Sequence, residues 1–180
     1  LTCATYKWLL GPYSLALAYF GPRFDDGVPL EETWIARDGS EDFQNLVDYQ
    51  DAYQLGAVRY DVAERSNFFL LPIATASLEL LLEWTPDRVQ AYCEELTSEM
   101  LVEAGELGYS VEDERWRSSH LLGLRMPPGV DLASLKQTLA DRNVSASLRG
   151  TALRLAPNVY NDLEDVDALM GVLEDGQIRC

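Results

Sequence analysis

Lys7 is the first residue whose type and setting could do chemistry. It follows a short apolar segment and lies between Tyr6 and Trp8. In general, burial lowers the pKa of a lysine amine, and the uncharged amine can attack a carbonyl to form a Schiff base. A lone lysine at a strand end more often extends its ammonium group into water, and the residues by themselves favour that alternative.

Ser66 and Asn67 are candidates for binding an anion. They directly precede a long apolar segment that we expect to be helical. A hydroxyl and an amide at this position are ordinary N-cap residues. The N-terminus of a helix is also a favourable place for a phosphate, because its free N–H groups attract negative charge. The sequence leaves both interpretations open.

Arg149 and Arg154 form a second candidate anion site. They lie on either side of a Gly150-Thr151 turn, and a guanidinium group can bind a carboxylate through two parallel hydrogen bonds. Arg154 has a leucine on each side, so in a strand its side chain should face away from both of them. The alternative is a pair of surface arginines that balances an acidic surface.

Cysteine and histidine offer little further chemistry. Cys3, Cys93 and Cys180 are far apart, and no two of them form a Cys-x-x-Cys pair. This pattern argues against a disulfide scaffold and a structural zinc site, and it suits a reducing setting. The single histidine, His120, excludes a multi-histidine metal site within the chain, and we expect it to have a structural role in a strand.

The elements before residue 85 should position the lysine and the first anion site. The apolar residues 1–6 and 14–20 predict two buried strands, and the polar, glycine-containing segment 21–40 predicts a long loop. Residues 67–84 are apolar nearly all round, which predicts a helix that begins near Phe69 and is buried on most sides.

After residue 85 the pattern predicts a compact α/β layer. Thr85 and Pro86 suit the N-cap and first position of a long amphipathic helix that ends near residue 105. Asn161 should begin the last helix, with Glu164 as its capping-box partner. The other expected elements are strands at residues 120–125, 144–148 and 152–156, and a helix at residues 131–142.

The composition excludes several classes of partner. The 180 residues include 30 acidic and 14 basic side chains, a formal net charge of −16. So acidic a chain is ill suited to bind nucleic acid, whose phosphates require clustered cations, or an anionic membrane. Hydrophobic residues make up 47% of the chain, but no run reaches the roughly 18 that a membrane span needs. We therefore expect a protein with a packed core and neither nucleic acid nor membrane as partner. The reducing setting that the cysteines suit indicates the cytoplasm.

Four segments together resemble class V aminotransferases, the branch of fold-type I pyridoxal-phosphate enzymes that includes the cysteine desulfurases. ATYKWLLGPYS is similar to the segment that carries the cofactor lysine, and RYDVAERSNFFLLP to the segment that reaches the cofactor phosphate across the dimer interface. HLLGLRMP resembles a strand of the small domain, and SLRGTALRLAPNVYND resembles the segment with the substrate-carboxylate arginine. The matches follow the family's order and run from Thr2 to about Leu173.

The resemblance implies a role for each candidate residue. Lys7 would form the internal aldimine with pyridoxal 5'-phosphate. Ser66 and Asn67 would contact the cofactor phosphate of the partner subunit, in a homodimer with its active site at the subunit interface. Arg154 would hold the carboxylate of an amino-acid substrate, and Arg149 matches a nearby second arginine.

The chain also departs from the family pattern. Ala63 stands where the family often has glycine, and the loop after Arg149 lacks the nucleophilic cysteine of cysteine desulfurases, which disfavours persulfide chemistry. The family's ring-stacking aromatic residue, its aspartate that pairs with the pyridine nitrogen and its first phosphate loop precede the lysine. We therefore expect residues 1–84 to be the C-terminal part of the cofactor-binding large domain and residues 85–180 to be a small α/β domain. Such a fragment would not by itself hold the cofactor productively.

Two classes of function follow from the sequence. The first is a pyridoxal-phosphate enzyme that acts on an amino acid, with transamination ranked first and a lyase reaction second. The second is a cofactor-free interaction module, or a degenerate paralogue, derived from the same fold. The coding sequence upstream of Leu1 would separate them, because an aspartate encoded shortly before Lys7 would support the enzyme.

Overall fold

A computed structural model of the chain describes residues 1–177, which fall into two compact units. The first comprises residues 1–83, and the second begins at Trp84. The first unit contains a two-stranded hairpin, a long irregular segment and one helix. The second contains three helices and a three-stranded sheet.

The first two strands form an antiparallel hairpin. Strand β1 (Thr2–Ala4) pairs with β2 (Ala16–Ala18). The strands lie where the sequence predicts them, but they are not buried within the described chain. All three residues of β2 are exposed, and in this region only Thr5, just beyond β1, is fully buried. A two-stranded ribbon cannot cover both of its own faces, so short strands of this kind stay exposed.

Residues 19–66 are largely irregular and are held by side-chain hydrogen bonds. Short 3-10 turns lie at Pro22–Phe24, Trp34–Ala36, Phe43–Asn45 and Ala57–Tyr60. Arg59 is buried, and its guanidinium group donates to the carbonyl oxygens of Gln54 at 2.8 Å and Gly27 at 2.7 Å. One side chain therefore satisfies backbone acceptors from distant parts of the segment. The polar segment 21–40 predicts a long loop, but nothing in the sequence indicates the role of Arg59, because a structural arginine has no distinctive pattern.

Helix α1 (Leu70–Trp84) is exposed over most of its apolar surface. The sequence predicts burial on most sides, but the buried residues of the helix are Ala74, Ser77 and Leu81, which form one narrow stripe. Large apolar side chains of this helix and of the two residues before it remain exposed, namely Phe68, Phe69, Leu71, Ile73, Leu80 and Leu82. The predicted burial is therefore wrong for the described chain. Within residues 1–177, no helix combines the length and apolarity needed to cross a membrane.

The second unit packs its helices against one face of an antiparallel sheet. The elements in chain order are α2 (Pro86–Glu106), β3 (Leu122–Arg125), α3 (Leu132–Asp141), β4 (Ser147–Arg149), β5 (Ala152–Leu155) and α4 (Leu163–Gln177). Strand β5 lies in the centre, in the order β3–β5–β4. The sequence predicts all six elements, but β4 begins three residues later than expected.

Leucines supply most of the core of this unit. Helix α2 buries residues at three- and four-residue steps, as its amphipathic pattern predicts, namely Val89, Cys93, Leu96, Met100 and Ala104. The sheet buries alternate residues of its two longer strands, namely Leu122, Leu124, Leu153 and Leu155. Helices α3 and α4 complete the cluster with Leu135, Leu139, Leu169, Met170, Val172 and Leu173. The core thus leaves the opposite face of the sheet open.

Two helix starts differ from the sequence prediction. The last helix is capped by Asp162, whose carboxylate accepts hydrogen bonds from the N–H groups of Glu164 at 2.9 Å and Asp165 at 3.3 Å. The predicted capping box of Asn161 and Glu164 is therefore wrong by one residue. The two capping residues are Asp162 and Asp165, each one position further along the chain. Thr85 precedes α2 as predicted, but its hydroxyl forms no capping bond and its φ is 63°.

Candidate functional site

Lys7 lies in the loop that connects β1 to β2. Thr5 ties the two ends of this loop together, because its backbone N–H donates to the Leu15 carbonyl at 3.1 Å. The Thr5 hydroxyl oxygen lies 2.6 Å from the Pro12 carbonyl oxygen and 2.9 Å from that of Leu15. The carbonyl of Thr5 accepts from the Gly11 N–H at 2.8 Å. The loop is therefore closed, with the lysine at its turn.

The side chain of Lys7 is exposed, which is the alternative that the residues by themselves favour for a lysine at a strand end. The lysine lies in a turn beyond the strand, where its carbonyl accepts from the Leu10 N–H at 2.9 Å. Its Nζ lies 5.2 Å from the centroid of the Tyr6 ring, which stacks on Tyr13 at 4.3 Å. Within residues 1–177 the ammonium group forms no ion pair, so the amine is accessible to a ligand.

Gly11→Ala is expected to disturb this loop. A Cβ atom at Gly11 would lie 2.8 Å from the Thr5 Cβ and 3.2 Å from its carbonyl oxygen. We expect a destabilisation of about 1–3 kcal/mol, the range for overpacked sites, measured from the midpoint of urea unfolding. Gly21→Ala is the matched control, because a Cβ there meets nothing within 4 Å. Equal midpoints for the two variants would contradict the close packing of Gly11 on Thr5.

Asn67 caps helix α1. Its Oδ1 accepts hydrogen bonds from the N–H groups of Phe69 at 3.2 Å and Leu70 at 2.9 Å, as an N-cap residue does. Its Nδ2 amide and the hydroxyl of Ser66 form no hydrogen bond within the described part of the chain, and both residues are exposed. These groups can therefore still donate to an anion near the helix N-terminus, where the helix dipole favours negative charge.

Arg149 and Arg154 lie on the same open face of the three-stranded sheet. The two leucines beside Arg154 are buried and Arg154 itself is exposed, which confirms the predicted alternation. Its neighbours on the adjacent strands are Gly123 in β3 and Ser147 in β4, whose Oγ lies 3.5 Å from an Nη2 atom of Arg154. Because both neighbours are small, the guanidinium group can be approached from solvent.

The remaining candidates are the cysteines and the histidine. Cys93 is fully buried in α2, and burial raises the pKa of its thiol, which keeps it protonated and unreactive at neutral pH. Cys3 is a partly exposed free thiol, and Cys180 lies outside the described residues. His120 precedes β3 instead of lying in a strand as predicted, and its Nδ1 is 3.2 Å from the Oε1 atom of Gln90.

The donor set fits a cofactor that carries an aldehyde and a phosphate. Lys7 supplies an accessible amine for the aldehyde, and Ser66 and Asn67 supply free donors at a helix N-terminus for the phosphate. No hydrogen bond links Lys7 to either of these residues in the described chain. Arg149 and Arg154, in contrast, are brought together by the pairing of β4 with β5.

Comparison with known proteins finds similar chains, although no family model matches the sequence. Isopenicillin N epimerase of Streptomyces clavuligerus is 22% identical over 178 residues, which cover 94% of this chain and 45% of the epimerase. The apo structure of a cysteine desulfurase from Thermococcus onnurineus NA1 matches with a TM-score of 0.74 at 18% identity. That match covers 97% of this chain and 46% of the desulfurase. A NifS-like protein matches with a TM-score of 0.51 at 16% identity, over 69% of this chain and 34% of that protein.

These matches confirm the predicted α/β fold class. The chain has the fold of the C-terminal part of the cysteine desulfurase, and nearly all of the chain takes part in the match. It spans about half the length of the epimerase and of the desulfurase.

Proposed function

Because the chain resembles class V aminotransferases and has the fold of the C-terminal part of a cysteine desulfurase, we propose that it is the C-terminal portion of a pyridoxal-phosphate-dependent enzyme acting on an amino acid. The observation that carries this proposal is the loop in which Thr5 holds the chain around the accessible amine of Lys7. The order of the four resembling segments supports it. Pyridoxal 5'-phosphate, when bound, supplies an electron sink for the bond broken at the substrate α-carbon.

Lys7 would hold the cofactor covalently and then act on the substrate. Once free, its amine would take the proton from the substrate α-carbon as a general base and return a proton as a general acid. Ser66 and Asn67 would donate hydrogen bonds to the cofactor phosphate. In this proposal that phosphate belongs to the partner subunit, so the active enzyme would be a homodimer with its active site at the interface.

Arg154 would bind the α-carboxylate of the substrate. Its guanidinium group forms no ion pair within residues 1–177, and its small neighbours allow a carboxylate to approach with both oxygens. Residues 85–180 would then be the small domain that carries the substrate arginine. Residues 1–84 would be the C-terminal part of the large domain that holds the cofactor.

Transamination is the reaction that we place first, and a lyase reaction second. Both start by breaking a bond at the same carbon, so both use a base at the position proposed for Lys7. Epimerisation, the activity in the name of the similar Streptomyces protein, would also require proton transfer at an α-carbon. The alternative from a different class is a cofactor-free interaction module, which would leave Lys7 without a chemical role.

Reduction with borohydride identifies the cofactor lysine. The chain contains two lysines, Lys7 and Lys136, and both are exposed, so Lys136 serves as an internal control. In the protein at its native length, saturated with pyridoxal 5'-phosphate, reduction should attach the pyridoxyl group to the peptide with Lys7. The peptide with Lys136 should remain unlabelled, because that lysine lies in α3 and belongs to none of the four segments that resemble the family. Peptide mapping by mass spectrometry measures both.

The pattern of label separates the alternatives. Label on Lys136 alone, equal label on both lysines, or label only on a lysine outside this chain would contradict the role of Lys7. A protein that binds no pyridoxal 5'-phosphate and gains no label would support the interaction module instead.

A further inference from the structure

The open face of the three-stranded sheet carries three arginines around a floor of small residues. Arg125 in β3 and Arg149 in β4 both lie opposite Ala152 of the central strand. Arg154 is two residues further along that strand, between a glycine and a serine of its neighbours. All three arginines are exposed, whereas the leucines that alternate with them in β3 and β5 are buried. The small floor leaves space between the guanidinium groups.

This concentration of positive charge is unusual in so acidic a chain. Acidic residues outnumber basic ones by 30 to 14, yet only one of the three arginines has a carboxylate partner within residues 1–177. Arg125 pairs with Glu112, while Arg149 and Arg154 form no ion pair in this part of the chain. Two neighbouring guanidinium groups repel each other when no anion lies between them. The arrangement is therefore suited to a ligand that supplies negative charge.

Arg149 and Arg154, which form no ion pair within residues 1–177, are spaced to bind two separate acidic groups. Arg149 and Arg154 are diagonal neighbours on adjacent antiparallel strands. Diagonal partners lie roughly 7–8 Å apart, and long side chains can span that distance. Each guanidinium group can then bind one carboxylate bidentately, whereas a ligand with a single carboxylate would leave one arginine unpaired.

We propose that Arg149 binds a second acidic group of the substrate, and that the substrate is a short dicarboxylic amino acid. This inference rests on the proposed function, in which Arg154 holds the α-carboxylate. Arg149 then determines specificity, because it distinguishes an acidic side chain from a neutral one. A substrate with an apolar side chain would leave the Arg149 guanidinium without a counter-charge.

Equilibrium binding of simple carboxylates to the 180-residue chain tests this inference without cofactor. Succinate and propionate are titrated at constant ionic strength, and binding is followed by NMR shifts of the sheet amides. We expect succinate to bind at least about fivefold more tightly, because a second charge-assisted contact is gained. Arg149→Gln should reduce the affinity for succinate to that for propionate. Arg149→Lys keeps the charge but loses the two parallel hydrogen bonds of the guanidinium group, so it should retain part of the preference for succinate. Arg154→Gln should weaken the binding of both ligands.

Arg88→Gln is the matched control, because it removes the same charge from an exposed arginine in α2. The preference for succinate should survive this change. A similar loss in Arg88→Gln and Arg149→Gln would show that the ligands sense only net charge, and it would overturn the inference. Equal affinities for the two ligands, undetectable binding of both, or an unchanged preference in Arg149→Gln would also overturn it. Because the titration contains no cofactor, its result is independent of the labelling of Lys7 that tests the proposed function.

Discussion

Replacing Lys7 with alanine is expected to lower the rate of reaction at the substrate α-carbon by about 10²–10⁴-fold, the range for a positioned acid or base. The side chain is exposed and has no ion pair within residues 1–177, so its removal should leave the fold intact. The loop should also persist, because it is held by Thr5 and Gly11. Single-turnover measurements on the enzyme at its native length, saturated with cofactor, give the rate.

Lys136→Ala provides the matched control for this change. It removes the same charge and the same side chain from an exposed position in α3, and it should leave the rate unaltered. A Lys7→Ala enzyme whose rate stays within a few fold of the parent would show that another group moves the proton. Circular dichroism of both variants separates loss of chemistry from loss of structure.

Replacing Arg154 with lysine is expected to raise the KM for the amino-acid substrate by about 10–30-fold. Lysine keeps the positive charge but cannot form the two parallel hydrogen bonds of a guanidinium group, so part of a charge-assisted contact is lost. The absorbance of the bound cofactor in the absence of substrate should not change, because in this proposal Arg154 contacts the substrate and not the cofactor. Steady-state kinetics and an absorbance spectrum measure the two effects separately.

Arg88→Lys makes the same substitution at an exposed arginine of α2, and its KM should equal that of the parent. An Arg154→Lys enzyme with an unaltered KM for every amino acid tested would exclude Arg154 from carboxylate binding. An altered cofactor spectrum would indicate a wider structural change instead.

The second unit could be predicted well because its elements follow simple periodic patterns. The leucines of β5 alternate with Arg154, and this alternation places the arginine on the open face without any knowledge of the fold. Helix α2 likewise repeats its buried residues at helical spacing. The prediction is less exact for helix capping. At the start of α4, Asn161 and Asp162 are equally good N-cap candidates by residue type.

The first unit could be predicted less well, because its order depends on individual side chains and not on periodicity. Thr5 resembles any other strand residue in the sequence, yet its hydroxyl and backbone close the loop around Lys7. The exposure of Lys7 is what its residue type favours, but the turn that places it beyond the strand has no distinctive pattern in the sequence. The apolar pattern of α1 predicts a buried helix, but the described residues cover only the stripe of Ala74, Ser77 and Leu81.

Leucines and arginines alternate along the strands of the sheet, and this alternation makes its outer face cationic. The same alternation also disfavours incorrect strand register during folding. A slip of one residue between β5 and its neighbours would turn Arg154 towards the core and Leu153 towards solvent. Burying an unpaired guanidinium group is so costly that a misaligned sheet would not persist. The arginines that we propose to recognise the substrate therefore also specify which residues of the three strands pair. Selection for the ligand and selection for correct strand pairing act on the same positions, and replacing these arginines with leucines would impair both.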